Sequence, residues 1–472
     1  MPGTAGDPLA YLATRPSPSA PRPYDFPDFR RERLPNGLTL ISAHLPGRPL
    51  LAAQLLVRGD AGGGATSEPA ELAGTTVLAA RAMTEGTAQR DALALIEASE
   101  RLGAGIAADA GWESLTVSLE VPRSRFLAAL ALFAEVALTP AFPADEVERL
   151  RDERLNDLLQ ARAEPRRRVE RIYPETIYAD GAPYGRPLAG SETTVPRIDR
   201  DVVVARHAAL MRPDAATMVI AGDLSGIDVA REVERVFAGW TAPAGVGPAG
   251  GRPSPARPGG RRIVVADRPG SRQSELRIGH VALARRTPDF HAASILNATL
   301  GGLFSSRLND LLREQRGYTY GVHSGFDMRR HPGPFTVRCA VRTDITVPAI
   351  VDILGELERI RASEVTDAEL SLARDYLAGV FPLRFETAAA VAGAIAGLVI
   401  HELPDDELDR YRPAIAAVTA ADVLAAARAH VRPAEASIVL VGDAASVEEP
   451  LRAAGLGEVT VLSALPEAEA AG

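Results

Sequence analysis

The sequence predicts an α+β fold built from two copies of one plan, and three observations carry that prediction. Short apolar segments with strand-like alternation are interspersed with longer stretches of helical period. Residues 212–224 (Arg-Pro-Asp-Ala-Ala-Thr-Met-Val-Ile-Ala-Gly-Asp-Leu) have a gapless counterpart 220 positions later, at 432–444 (Arg-Pro-Ala-Glu-Ala-Ser-Ile-Val-Leu-Val-Gly-Asp-Ala). Both follow a helical pattern, so a duplicated domain is the better reading than chance. Between the halves, residues 241–260 are dominated by Pro, Gly and Ala, the composition of an extended linker. The expected division is a flexible arm at 1–28, one domain at 29–240, a linker at 241–261, a second domain at 262–445 and an extension at 446–472. The two units are expected to be homologous α/β domains with antiparallel-rich sheets packed by helices.

In the first half, Leu34-Pro35-Asn36-Gly37 signals a hairpin, because Asn-Gly favours a tight primed turn. A strand follows at 50–58, then a loop around Gly62–Gly64. Helical patterns cover 69–84 and 88–102, the second stopping at Gly103. Strands are expected at 105–110 and 113–121, and helices at 123–138 and 144–162. The second half opens with strands at 262–266 and 273–282. Helices follow at 290–300 and 304–316, then strands after Tyr318 and Pro334, then helices at 347–361, 367–377 and 388–402.

Composition removes several chemistries. At 472 residues the chain is long enough for more than one core, and its net charge of −9 without a basic cluster argues against nucleic acid as the main partner. All 52 basic residues are arginine. Without lysine there is no P-loop lysine, no Schiff base with pyridoxal phosphate and no kinase-type phosphate lysine. Cys339, the single cysteine, alternates with Phe335, Val337 and Val341 and reads as strand core. No apolar run approaches a membrane span, and the first thirty residues lack the features of a signal peptide. The expectation is a cytoplasmic protein with no membrane partner.

The most informative stretch is 311–321, Leu-Leu-Arg-Glu-Gln-Arg-Gly-Tyr-Thr-Tyr-Gly. Phe304, Leu308, Leu311 and Leu312 recur at helical spacing, Gly317 sits where a helix can end in a left-handed turn, and Tyr318, Tyr320, Val322, Ser324 and Phe326 alternate. Arg313 and Tyr320 therefore flank a helix-to-strand junction, where a cation and a phenol can donate to a carbonyl oxygen gaining negative charge. A structural reading of the same residues makes Arg313 a solvated helix residue and Tyr320 a half-buried strand aromatic. Other chemistry is absent. No Gly-x-Ser-x-Gly elbow occurs, since Gly222-Asp-Leu-Ser-Gly226 has one residue too many, and no dinucleotide fingerprint opens a βαβ unit. The eight histidines are scattered, with no two four residues apart, so no zinc motif can be assembled.

Several short motifs nevertheless occur in a familiar order: Leu34-Pro-Asn-Gly-Leu38, Glu85-Gly-Thr87, Pro183-Tyr-Gly-Arg-Pro187, Arg212-Pro213 with Ala221-Gly-Asp223, Pro269-Gly-Ser-Arg-Gln273 through Gly279-His280, and Ser305-Ser-Arg-Leu308 through Gly317 and Tyr320. The series resembles the pitrilysin/insulinase family of zinc peptidases, which carry an inverted His-x-x-Glu-His motif. The resemblance implies paired α/β domains forming a half-clamshell, two of which enclose a chamber for unfolded peptides. Counting back from Gly86, the metal-motif positions fall on Val77, Ala80 and Arg81, and the family's distal glutamate falls near Asp157, with Asn156 as the one-residue alternative. None of the first three can bind zinc, and a cationic Arg81 would oppose it. In relatives built from two different subunits, one chain brings zinc and the other an Arg–Tyr pair, here Arg313 and Tyr320. The resemblance therefore implies a non-catalytic subunit of a heteromeric zinc endopeptidase, holding no metal itself. Its partner would be a zinc-carrying homologous subunit, and its ligand an unfolded peptide. The alternative is a structural or peptide-binding protein on the same fold, with no role in proteolysis. Peptide capture is expected at an exposed sheet edge; the sequence does not single out the strand, and the segment at 105–110 is one candidate.

Overall fold

The computed structural model describes residues 22–58, 64–242 and 251–463. The glycines at 62 and 63, most of the N-terminal arm and the middle of the linker lie outside the described residues. Two six-stranded sheets organise the chain, each flanked by helices. The first contains β1 (Phe29–Arg33), β2 (Thr39–His44), β3 (Leu50–Arg58), β4 (Gly105–Ala110), β5 (Ser114–Pro122) and β6 (Ala216–Gly222), in the order β1-β2-β6-β3-β5-β4. Its helices are α1 (Thr75–Ala82), α2 (Ala92–Leu102), α3 (Phe126–Leu138), α4 (Ala144–Ala163), α5 (Pro165–Ile177), α6 (Arg200–Leu210) and α7 (Val229–Phe237). The second sheet contains β7 (Arg262–Asp267), β8 (Gln273–Val281), β9 (Val322–Phe326), β10 (Pro334–Arg342), β11 (Ser437–Gly442) and β12 (Glu458–Leu462), in the order β12-β7-β11-β8-β10-β9. With it run α8 (Phe290–Asn297), the short α9 (Arg307–Asn309), α10 (Thr346–Ala362), α11 (Asp367–Val380), α12 (Ala388–His401), α13 (Glu407–Ala417), α14 (Ala420–His430) and α15 (Ala444–Ala453).

The repeat seen at an offset of 220 is a repeat of topology. In each half a parallel pair (β2–β6, β7–β11) is extended by antiparallel neighbours (β3, β5, β4 and β8, β10, β9). The α+β expectation with antiparallel-rich sheets holds. The halves differ at the outer edge, where the first has the hairpin strand β1 and the second has β12, parallel to β7 and drawn from the residues after 445.

β3 reads as a nearly continuous apolar run because both its faces are covered. Leu51, Ala53, Leu55 and Val57 enter the core on one side, and Ala52 and Leu56 enter a different core on the other. That second cover comes from the other half: Val391, Ala392 and Ile395 of α12 share a core with Ile41, Ala52, Leu56 and Val219. The exchange is reciprocal. Val169, Tyr173 and Ile177 of α5 pack on Ala266, Val439 and Val441 of the second sheet. Tyr173 donates its buried hydroxyl to the Phe335 carbonyl at 2.7 Å. Gly279 makes this approach possible, since a Cβ there would stand 1.9 Å from that carbonyl oxygen and 2.5 Å from the Tyr173 hydroxyl. The buried Arg277 of β8 completes the clasp with Glu170 of α5, Nη2 to Oε1 2.7 Å.

Each half thus supplies a helix that the other's sheet needs. Burying apolar surface contributes roughly 25 cal/mol per Å², so separating the halves strips each sheet of one cover. Residues 22–242 and 251–463 expressed separately should each lack a cooperative thermal transition, and co-expression should restore it. Two stable, monomeric halves would contradict this.

Two local expectations are corrected. The Asn36-Gly37 hairpin is not a two-residue primed turn: β1 and β2 pair Arg33 with Thr39, and Leu34 accepts from the Gly37 amide while donating to the Leu38 carbonyl. Pro35 and Gly37 at the second and fourth turn positions suit this wider loop. The expected helix at 304–316 is broken. Phe304 precedes it and is 77% exposed, α9 is a single turn, and residues 310–315 form a π-type turn. The stripe nonetheless survives in Leu308 and Leu312, both fully buried.

Candidate functional site

Helix α1 carries the degenerate metal positions, and a buried carboxylate sets its start. Gly74, in the left-handed region at φ +100°, caps it at a point where a Cβ would lie 2.9 Å from the Ala189 main chain. Glu68, 1% exposed, accepts hydrogen bonds from the amides of Gly74 (3.0 Å) and Thr76, placing negative charge on the positive end of the helix. α1 then packs against β4, α4 and α6.

On α1, Ala80 is fully buried, Val77 is half-buried and Arg81 is exposed toward α4. Arg81 Nη2 lies 3.2 Å from Glu153 Oε2. The other Glu153 oxygen binds Arg149, which also reaches Glu146 (2.6 Å) and Glu85 (3.0 Å). An arginine–glutamate network therefore stands at the motif positions. Asp157, one turn further along α4, is engaged by Arg154 and by Arg167 Nη2 at 2.5 Å. Burial alone would raise its carboxyl, but the hydrogen bond from Arg167 and the two guanidinium charges hold it below the ordinary carboxylate range. Among the described residues no group of three or more His, Cys, Asp or Glu could hold a metal ion. The residues present on α1 do not fit zinc, because an aliphatic side chain, a methyl group and a guanidinium offer it no lone pair.

Beside α1 runs β4, hydrogen-bonded to β5 on one side and, among the described residues, to no strand on the other. Residues 105, 107 and 109 face solvent, alternating with half-buried 106 and 108. The candidate strand is thus a sheet edge among the described residues, the kind of edge to which an extended chain can add.

Arg313 and Tyr320 lie on the turn joining α9 to β9. Buried Asn309 fixes that turn, donating to the Val322 carbonyl (2.9 Å) and accepting from the Val322 amide (3.1 Å). Gly317 ends the helical stretch in the left-handed region at φ +65°, and the Tyr318 amide donates to the Leu312 carbonyl at 2.8 Å. Strand pairing starts only at Val322, so Tyr318 and Tyr320 stand in the loop before it. Arg313 is neither solvated nor free: its guanidinium stacks 3.5 Å from the centroid of the Phe304 ring and pairs with Glu314 (Nε–Oε1 2.8 Å). Tyr320 is 99% exposed, and no hydrogen bond or ring contact joins it to Arg313 among the described residues. The half-buried strand aromatic is corrected to a phenol standing in solvent. Cys339 is in the core as expected, and burial pushes its thiol up to about 12, which leaves it inert.

Arg307 ties this loop to α11 through a two-pronged contact with Glu369, Nε–Oε1 2.6 Å and Nη2–Oε2 2.8 Å. The hydrogen bond from Arg307 draws the Glu369 carboxyl down to about 2, against the opposing effect of burial. A depressed carboxyl binds protons less readily in the folded than in the unfolded chain. Its stabilisation is complete above the ordinary value near 4.5 and fades as pH falls toward 2. Melting midpoints followed across that window should fall less steeply for Glu369→Gln than for the parent. Identical profiles would contradict the assignment.

Sequence reasoning missed Glu153, Asn309 and Phe304. Glu153 had a signal, its i,i+4 relation to Arg149 on one face of α4. Asn309 had none: among Ser305, Ser306, Arg307 and Asp310 it looks like one more polar helix residue.

Comparison with known proteins follows the same outline. Residues 53–192 match the family Insulinase (Peptidase family M16), and residues 197–377 match the Peptidase M16 inactive domain. An uncharacterized zinc protease of Mycobacterium tuberculosis is 26% identical over 366 residues, covering 76% of this chain and 81% of that protein. One from Streptomyces coelicolor is 26% identical over 409 residues, covering 84% and 86%. The crystal structure of a peptidase M16 inactive domain from Pseudomonas fluorescens superposes with a TM-score of 0.79 at 25% identity, covering 88% of this chain and 98% of that one.

Proposed function

This chain belongs to the insulinase (peptidase M16) family, and from that premise we propose that it is the non-catalytic subunit of a heteromeric zinc endopeptidase. The observation that carries the proposal is the Arg81–Glu153 ion pair at the metal-motif positions, directly beside an open sheet edge. A guanidinium there supplies positive charge but cannot activate water, while β4 keeps the main-chain groups that an unfolded peptide needs. The zinc protease chemistry for which its relatives are named belongs, in this assembly, to a homologous zinc-carrying partner.

In this reading an extended peptide adds to β4 as a further strand, gaining affinity from backbone pairing rather than from side-chain identity. Arg313 and Tyr320 act where such a peptide meets the partner's zinc, donating hydrogen bonds to the scissile carbonyl as it becomes an oxyanion. The exposure of Tyr320 supports a role toward another molecule, because nothing within the described chain engages its hydroxyl. The stack on Phe304 supports Arg313 by holding its guanidinium plane while leaving N–H donors at the rim.

Affinity purification of the tagged chain from its native cells tests the assembly. A homologous subunit carrying His-x-x-Glu-His should accompany it in equal amount, with one zinc per pair. Recovery of the chain only with itself, or with unrelated proteins and no zinc, would favour a structural role and overturn the proposal.

A further inference from the structure

We propose that the cleft between α4, α5 and the end of β12 binds a small organic polyanion, one carrying phosphate or carboxylate groups on a short apolar body. The cleft has a volume of about 480 Å³, within the range of small-molecule sites. Arginines 154, 162, 167, 168 and 171 line it, and Leu158, Ile172 and Leu462 give it an apolar floor. It runs along α4 from Arg154, the residue after Glu153, and its lining includes none of the α1 residues.

Among the described residues the guanidinium groups outnumber the carboxylates available to them. Of the two glutamates lining the cleft, Glu170 is committed to Arg277 of β8 at 2.7 Å. The other, Glu175, is 3.7 Å from Arg171, and burial raises its carboxyl above the ordinary value despite that charge. Arg154 and Arg167 share Asp157, with Glu164 a distant 3.9 Å from Arg167. Arg162 and Arg171 share a single oxygen of Glu192, each at 2.7 Å. Arg168 donates to the carbonyls of Asp267 (2.8 Å) and Ser463 (3.4 Å) and pairs with no carboxylate among the described residues. Each guanidinium carries five donors in a fork suited to phosphate or carboxylate. Arg154 spends two of its nitrogens on the Ala189 (2.9 Å) and Gly190 (3.4 Å) carbonyls. Among the described residues the five arginines are hydrogen-bonded to fewer carboxylate oxygens than they have forks to fill. Burial also pushes Arg154 and Arg168 below their ordinary values, as for cations without a full counter-ion. The three aliphatic side chains beneath distinguish the site from a bare phosphate cradle: they reward a ligand with carbon as well as charge.

Isothermal titration of the full chain with ATP, citrate, tripolyphosphate and inorganic phosphate, at ionic strength matched with sodium chloride, tests this. Saturable one-to-one binding is expected for ATP or citrate, at least tenfold tighter than for inorganic phosphate. Repeating it on Glu467→Gln/Glu469→Gln keeps the chain's own C-terminal acids from masking the site. The Arg167→Gln/Arg171→Gln pair should weaken binding at least tenfold with an unchanged melting midpoint. Should the pair lower that midpoint, the half-exposed Arg162→Gln alone should still weaken binding several-fold. Arg101→Gln, remote on α2, should leave it unchanged. Absence of saturable binding in both backgrounds, or equal affinity in the cleft variants, would overturn the proposal.

Discussion

Arg313→Ala or Tyr320→Phe, introduced into this chain and mixed with a zinc-carrying homologous subunit, should lower peptide turnover by on the order of a hundredfold while leaving complex formation intact, as for loss of one oxyanion donor. The two groups enter the reaction differently. Tyr320→Phe removes one O–H and nothing else, because the phenol, 99% exposed, has no partner among the described residues to lose. The loss should therefore appear in kcat with little change in KM, the pattern of an interaction made only in the transition state. Arg313→Ala also empties the face of Phe304 and releases Glu314. Phe304→Ala separates these effects: it keeps the charge but removes the platform, and should cost less than Arg313→Ala. Equal turnover in parent and variants would remove both residues from the mechanism.

The second large effect concerns the lost metal. Val77→His, Ala80→Glu and Arg81→His together should create a chain that retains zinc through dialysis, since α1 and α4 already stand face to face. The residue opposite position 81 is Glu153, released from its guanidinium partner by the substitution. Adding Glu153→Ala should weaken zinc affinity by about a hundredfold or more, whereas Asp157→Asn, one turn away and held by Arg154 and Arg167, should leave it nearly unchanged. Metal content of the dialysed proteins reads out both outcomes. The reverse pattern would make Asp157 the relic ligand.

Much of this architecture was legible before any coordinates, and the exceptions have physical reasons. Gly317 announced a left-handed turn because a helix that ends before an aromatic strand needs one there, and it has φ +65°. The offset of 220 announced two related sheets because inward-facing strand residues are constrained on both sides. Periodicity reports which face of an element is buried, but not what buries it. Hence the reciprocal exchange of α5 and α12, which depends on long-range contacts such as Tyr173 with Phe335, was invisible. At the site, three- and four-residue spacing could not separate a regular helix from the π-type turn at 310–315, so Phe304 was assigned to the core instead of beneath Arg313. Glu153 is hidden for a similar reason: a charge on a helix surface looks solvated until its partner on another helix, here Arg81, is known. Tyr320 was drawn into a strand by alternation, although pairing to β10 stops at Val322.

Hydrolysis of a quenched unstructured peptide by the purified chain, alone and mixed with its zinc-carrying homologue, tests the division of labour most directly. The chain alone should neither cleave the peptide nor contain stoichiometric zinc, and the mixture should cleave it faster than the homologue alone. Robust cleavage by the isolated chain, or no gain on mixing, would contradict the account.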